Sequence, residues 1–192
     1  MNENSWNVYV ADVVTTVIVL LGFASILYAP KNIVVSCLLV TIAGILDSID
    51  GLLARKFPSS DSGLVYDSIA DIVSFCLSPS VIVYYYLQSM TLVSVLVSSF
   101  LLLSTVIHMR RFMHTEELLG CPTTISALAV CQSVFLNSSY LIIVIVFVFS
   151  GAVLRKTSYT KDVDLNVKLI AGLILVVSSI ISYFGFHYDF LL

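Results

Sequence analysis

Seven apolar stretches of spanning or near-spanning length follow one another along this chain, at approximately residues 8–28, 33–54, 63–87, 90–108, 122–136, 138–154 and 167–187. Runs of that kind leave few folding options. Hydrocarbon offers no hydrogen bonds to a backbone, so a segment crossing it must satisfy its own N–H and C=O groups, and segments of this length do so as helices. The expectation is an all-α, polytopic membrane bundle of about seven spans, organised as a single domain over residues 1–192. Composition agrees: only 11% of residues are charged, against about a quarter in soluble domains, and the mean hydropathy is +1.04. A net charge of −3 gives no general attraction to nucleic acid. Cys37, Cys76, Cys121 and Cys131 are scattered without CxxC pairing and mostly lie in apolar runs, so they read as buried free thiols. The start of the chain has no basic n-region and no small-residue cleavage site, which predicts no removable signal peptide.

Local signals punctuate the stretches. Pro79 lies inside the third and should kink it or end its first half. Pro122 sits where a helix would begin, a position whose N–H has no partner anyway. The fifth and sixth stretches, divided near Asn137-Ser138-Ser139, read either as two short tilted helices or as one long broken one. With a cytoplasmic N-terminus and seven spans, Arg55, Lys56, Arg110, Arg111, Arg155, Lys156, Lys161 and Lys168 all fall on the cytoplasmic side, and only Lys31 falls outside. That asymmetry is the one the positive-inside rule requires.

Against this apolar background four carboxylates stand out. Asp47 and Asp50 are spaced i,i+3 near the end of the second stretch, and Asp67 and Asp71 i,i+4 near the start of the third. Each pair therefore lies on one helix face. Carboxylates are costly at the edge of hydrocarbon and ask for a function. Two such faces turned toward each other would form an all-oxygen site suited to Mg²⁺ or Mn²⁺. Under the topology above, that site meets the cytosol, where a soluble charged co-substrate could reach it while a lipid tail stays in the bilayer.

The run from Asp47 to Asp71, D-x-x-D-G-x-x-A-R followed by G-x-x-x-D-x-x-x-D, resembles the signature of the CDP-alcohol phosphotransferase family. Seven residues separate Arg55 from Gly63, one fewer than is usual there. Ala11-Asp12-Val13-Val14-Thr15 is similar to the family's approach to its first helix, and the spans between residues 8 and 160 fit its six-helix core in order. Asp67-Ser68-Ile69-Ala70-Asp71-Ile72-Val73-Ser74-Phe75, Gly120-Cys121-Pro122-Thr123 and His108-Met109-Arg110-Arg111-Phe112 are similar to the branch of phosphatidylserine and archaetidylserine synthases. In that branch His108 stands where arginine is more usual and Met113 where asparagine is.

The resemblance implies a multi-pass enzyme of the cell membrane. An alcohol, L-serine in this branch, would attack the lipid-proximal phosphorus of CDP-diacylglycerol or CDP-archaeol, and CMP would leave. It further implies that Asp47, Asp50 and Asp67 hold a divalent metal, that Asp71 completes a second metal position, and that Asp71 is the general base. Asp12, Thr15, Asp50, Gly51, Ala54, Arg55, Ser60 and Gly63 would contact the nucleotide or CDP-lipid, and the assembly would be a homodimer. Arg110 and Arg111 are candidates for the acceptor or a phosphate.

Other readings stay open beside these. Asp12 reads equally as a helix-start carboxylate, and Arg110 and Arg111 as membrane anchors. His108 and His114 read as interfacial side chains, the Tyr84-Tyr85-Tyr86 run as part of an aromatic belt, and hydroxyls within spans as helix-packing groups. The acceptor could instead be glycerol 3-phosphate or inositol phosphate. A divalent-cation transporter is the alternative from a different class, although none of the four carboxylates occupies the midplane expected of a transport site.

Overall fold

A computed structural model describes residues 4–56, 63–115 and 121–155, with side chains placed for residues 12–50, 65–113 and 121–155. Every regular element among them is helical. In order they are α1 (Asn4–Tyr28), α2 (Ile33–Lys56), α3 (Gly63–Asp71), a π-helical segment (Ile72–Leu77), α4 (Ser78–Tyr86), α5 (Thr91–Thr115), α6 (Thr123–Phe135) and α7 (Ser139–Leu154). Three helical runs are long and apolar enough to cross a membrane, within Ile33–Asp50, Val65–Tyr86 and Thr91–Met113, and the apolar segments Asp12–Tyr28, Thr123–Phe135 and Ser139–Leu154 are shorter. The seventh apolar stretch, at 167–187, lies outside the described residues, as does Ser60.

The helices start and stop where local chemistry dictates. Asn32 caps α2, its side-chain oxygen accepting from the Val35 N–H at 3.1 Å, and Ser138 caps α7 through the Leu141 N–H at 3.4 Å. Pro122 immediately precedes α6, as its missing N–H predicts. Between α6 and α7 the chain reverses through Leu136-Asn137-Ser138, with Asn137 in the left-handed region at φ 49°. The Cys121 N–H then reaches the Ala152 carbonyl at 3.2 Å, so the start of α6 abuts the end of α7. The fifth and sixth stretches are thus two short antiparallel helices.

The helical run continues through Pro79, with a change of helix type ahead of it. Proline lacks an N–H, and in an α-helix its ring presses on the carbonyl four residues earlier. Here the turns ahead of it widen into a π-helix, with the Ser78 N–H bonding to the Val73 carbonyl five residues back. α3, the π segment and α4 therefore form one rod that passes through the middle of the bundle. Phe75, in the π segment, is 1% exposed and packs with Ile18, Val40, Ile82 and Val130 in the core.

Small residues and hydroxyls bring the rods together. Ser25 of α1 and Ser36 of α2 share a hydroxyl contact of 2.7 Å, and Ser78 donates to Ser25 at 2.7 Å. Gly22 lets α1 approach the π segment so closely that an added Cβ would lie 2.7 Å from the Ser74 Cα. The Ser74 hydroxyl donates across the same contact to the Ile18 carbonyl at 2.8 Å. Outward faces are apolar instead of charged: Leu20, Phe23 and Leu27 on α1, Leu96 and Leu103 on α5, and Val148 on α7 are exposed. That pattern suits contact with lipid chains.

The rods alternate in direction. The Tyr86 hydroxyl donates to the Asn137 side chain at 3.0 Å, which puts the α4 end and the α6–α7 turn at one end of the bundle. Arg111 donates to the Leu154 carbonyl at 3.0 Å at the other end, where α5 and α7 finish.

Candidate active site

α2 delivers Asp47 and Asp50 toward its C-terminal end, and α3 delivers Asp67 from its middle and Asp71 as its last residue. One oxygen from each of Asp47, Asp67 and Asp71 lies within 4.8 Å of the other two. The i,i+4 spacing on α3 makes this possible, because it stacks Asp67 and Asp71 on the face turned to α2. Asp50 stands beside this group. Its Oδ2 accepts a hydrogen bond of 2.7 Å from the Thr15 hydroxyl of α1, and it is 7% exposed.

The remaining oxygens are more telling. Asp71 Oδ1 and Asp50 Oδ1 are buried without a hydrogen-bond partner in the protein. Among the residues whose side chains are described, no Lys or Arg pairs with any of the four carboxylates. Converging anions with orphaned oxygens, away from bulk water, are unfavourable unless a cation joins them. An all-carboxylate donor set matches a hard divalent ion such as Mg²⁺ or Mn²⁺, so the residues present fit the metal that the sequence pattern implies.

Neighbouring helices hold this centre in place. Thr124, in the first turn of α6, donates to Asp47 Oδ2 at 3.0 Å. Thr16 donates to the Asp12 carbonyl at 2.7 Å and lies 2.9 Å from the Tyr66 hydroxyl. With the threonine's single proton committed, Tyr66 is the donor of that second bond, and α1 is tied to α3. Asp12 is half-buried on the same side of α1, near enough for its charge to act on Asp50.

The other expected residues are distributed as follows. Thr15 reaches the site through its hydrogen bond to Asp50. Gly51, Ala54 and Arg55 continue α2 beyond the carboxylates, and Gly63 opens α3. Arg110 is exposed. Arg111 and His108 instead face the end of α7: Arg111 donates to the Leu154 carbonyl, and the buried His108 lies 3.1 Å through Nδ1 from the Val153 carbonyl. A carbonyl only accepts, so Nδ1 carries the proton there. Sequence reasoning passed over Thr124, Thr16 and Tyr66. Thr124 directly follows the Gly120-Cys121-Pro122-Thr123 run, but a hydroxyl at a helix start reads as ordinary packing until its partner, 77 residues away, is seen.

Comparison with known proteins meets this geometry directly. The CDP-alcohol phosphatidyltransferase family profile matches residues 8–184, and the chain belongs to that family. It is 33% identical over 131 residues to a CDP-diacylglycerol–serine O-phosphatidyltransferase of Helicobacter pylori, covering 64% of this chain and 55% of that protein. It is 30% identical over 146 residues to a protein of the same name from Methanocaldococcus jannaschii, covering 74% of this chain and 68% of the relative. With the archaetidylserine synthase of Methanothermobacter thermautotrophicus it shares 27% identity over 127 residues, 62% of this chain and 54% of that one. The chain thus spans about half the length of two of these relatives and about two thirds of the third.

Proposed function

We propose that this chain transfers a phosphatidyl-type group from a CDP-lipid, CDP-diacylglycerol or CDP-archaeol, to the hydroxyl of L-serine, releasing CMP. The convergence of Asp47, Asp67 and Asp71 carries the reading, and the relatives named for serine transfer supply the acceptor. In this reading the serine oxygen forms a bond to the lipid-proximal phosphorus as the bond from that phosphorus to the CMP oxygen breaks.

Asp71 takes the serine hydroxyl's proton, using a carboxylate whose Oδ1 has no competing partner in the protein. Asp47, Asp67 and Asp71 would hold the divalent metal, with Asp50 at its edge and room in the chemistry for a second ion. When bound, such ions neutralise diphosphate charge and make the hydroxyl easier to ionise. Asp12, Thr15, Gly51, Ala54, Arg55, Ser60 and Gly63 would line the nucleotide's approach, the small residues allowing close backbone contact. Arg110, exposed at the site end, is available to an incoming anionic group. The bundle is a multi-pass protein of the cell membrane with this end in the cytoplasm, in keeping with the excess of basic residues there.

An acceptor screen tests the proposal. Purified full chain is incubated with CDP-diacylglycerol or CDP-archaeol, Mn²⁺ or Mg²⁺, and either L-serine, glycerol 3-phosphate or inositol phosphate, and CMP is quantified. L-serine should drive release. Release only with a phosphate-bearing acceptor would overturn serine as the acceptor, and no release with any would overturn the transferase reading.

A further inference from the structure

We propose that Thr124 is a positioning residue: its hydroxyl fixes the orientation of the Asp47 carboxylate and so sets the metal affinity of the Asp47–Asp67–Asp71 group. This rests on the reading of that group as a metal centre. The hydroxyl donates to Asp47 Oδ2 at 3.0 Å. A carboxylate is planar, so holding one oxygen also fixes where the other points. Gly44, one turn before Asp47 on α2, leaves room for α6 at this point: a Cβ there would lie 3.5 Å from the Thr124 methyl, Cγ2, and 3.3 Å from Leu128. Asp50 is held in a parallel way by Thr15 from α1 at 2.7 Å, so each α2 carboxylate is gripped by a threonine of a flanking helix.

Neighbouring donors of this kind orient metal ligands, and losing one typically lowers metal affinity or activity by roughly 10–100-fold. The chemistry allows hydroxyl and methyl to be separated. Thr124→Val keeps the methyl and loses the donor, whereas Thr124→Ser keeps the donor and loses the methyl. Mn²⁺ binding to the detergent-solubilised full chain, read from the loss of the free-ion electron paramagnetic resonance signal, needs no turnover. Thermal unfolding without metal checks that each variant is folded.

Thr124→Val should weaken Mn²⁺ binding about 10-fold or more, with a metal-free melting temperature close to that of the unaltered protein. Thr124→Ser should retain most of the affinity. Equal Mn²⁺ affinity in Thr124→Val and the unaltered protein would overturn the role of Thr124 alone. Equal weakening in both variants would do the same, by pointing to packing in place of the hydroxyl. Absence of Mn²⁺ binding by the unaltered protein would overturn the metal centre and this proposal with it.

Discussion

In the proposed reaction Asp71 would serve both as a metal ligand and as the general base. One of its oxygens is buried and unpartnered, and an oxygen of the same group lies within reach of Asp47 and Asp67. A general base matters only as the acceptor attacks, so its removal should damage the chemical step more than binding. Asp71→Asn is expected to retain CDP-lipid affinity while turnover falls by roughly 10²–10⁴-fold, as measured by CMP release beside equilibrium binding of the lipid. Parallel loss of binding and turnover would make Asp71 an indispensable metal ligand and no base. At this scale the sequence was informative where spacing encodes geometry. The i,i+3 and i,i+4 carboxylates share helix faces whatever else the chain does. It was silent on Thr124 and Asp47, and on Thr15 and Asp50, because those pairs depend on how whole helices are rotated against each other.

Helix boundaries follow from capping and proline chemistry, and the sequence-based stretches coincide with the described helices to within a few residues at most ends. A proline predicts a defect but not its form, and ahead of Pro79 the defect is a stretch of widened, π-helical turns. Those turns present Ser74 to Gly22 and the Ile18 carbonyl, locking the rod that carries Asp67 and Asp71 to the helix that carries Asp12 and Thr15. Gly22→Ala should therefore destabilise the bundle even though alanine favours a helix over glycine by about 1 kcal/mol. The added methyl would press on the Ser74 Cα, which cannot rotate away, and overpacking of this kind costs about 1–3 kcal/mol. Thermal unfolding in detergent should show a lower melting temperature for Gly22→Ala. An unchanged or higher value would contradict the close contact of α1 with the π segment.

Across the whole molecule, the alternating helices set Arg110, Arg111 and Arg155 at the end where α5 and α7 finish and Lys31 at the opposite end. An impermeant maleimide applied to intact cells should label Gln88→Cys from outside and reach Arg155→Cys only after lysis. The reverse pattern would overturn the orientation. Native thiols should contribute little background, since Cys37, Cys76 and Cys131 are buried. Burial also raises the pKa of the half-buried Cys121 thiol. Only its thiolate reacts, so labelling there should be slow near neutral pH and quicken as pH rises. The membrane class and the acidic site could be read from apolar run lengths and motif spacing. The packing order of the helices could not, because lipid-facing and bundle-facing residues are both apolar. The central claim is that these carboxylates couple CMP departure to serine capture. The most direct test is to measure CMP and lipid-bound serine together, from labelled L-serine and CDP-diacylglycerol, with Mn²⁺ or with a chelator. Equal amounts of both products, abolished by the chelator and strongly reduced in Asp71→Asn, are the predicted result. CMP released without lipid-bound serine, or turnover indifferent to the chelator, would contradict it.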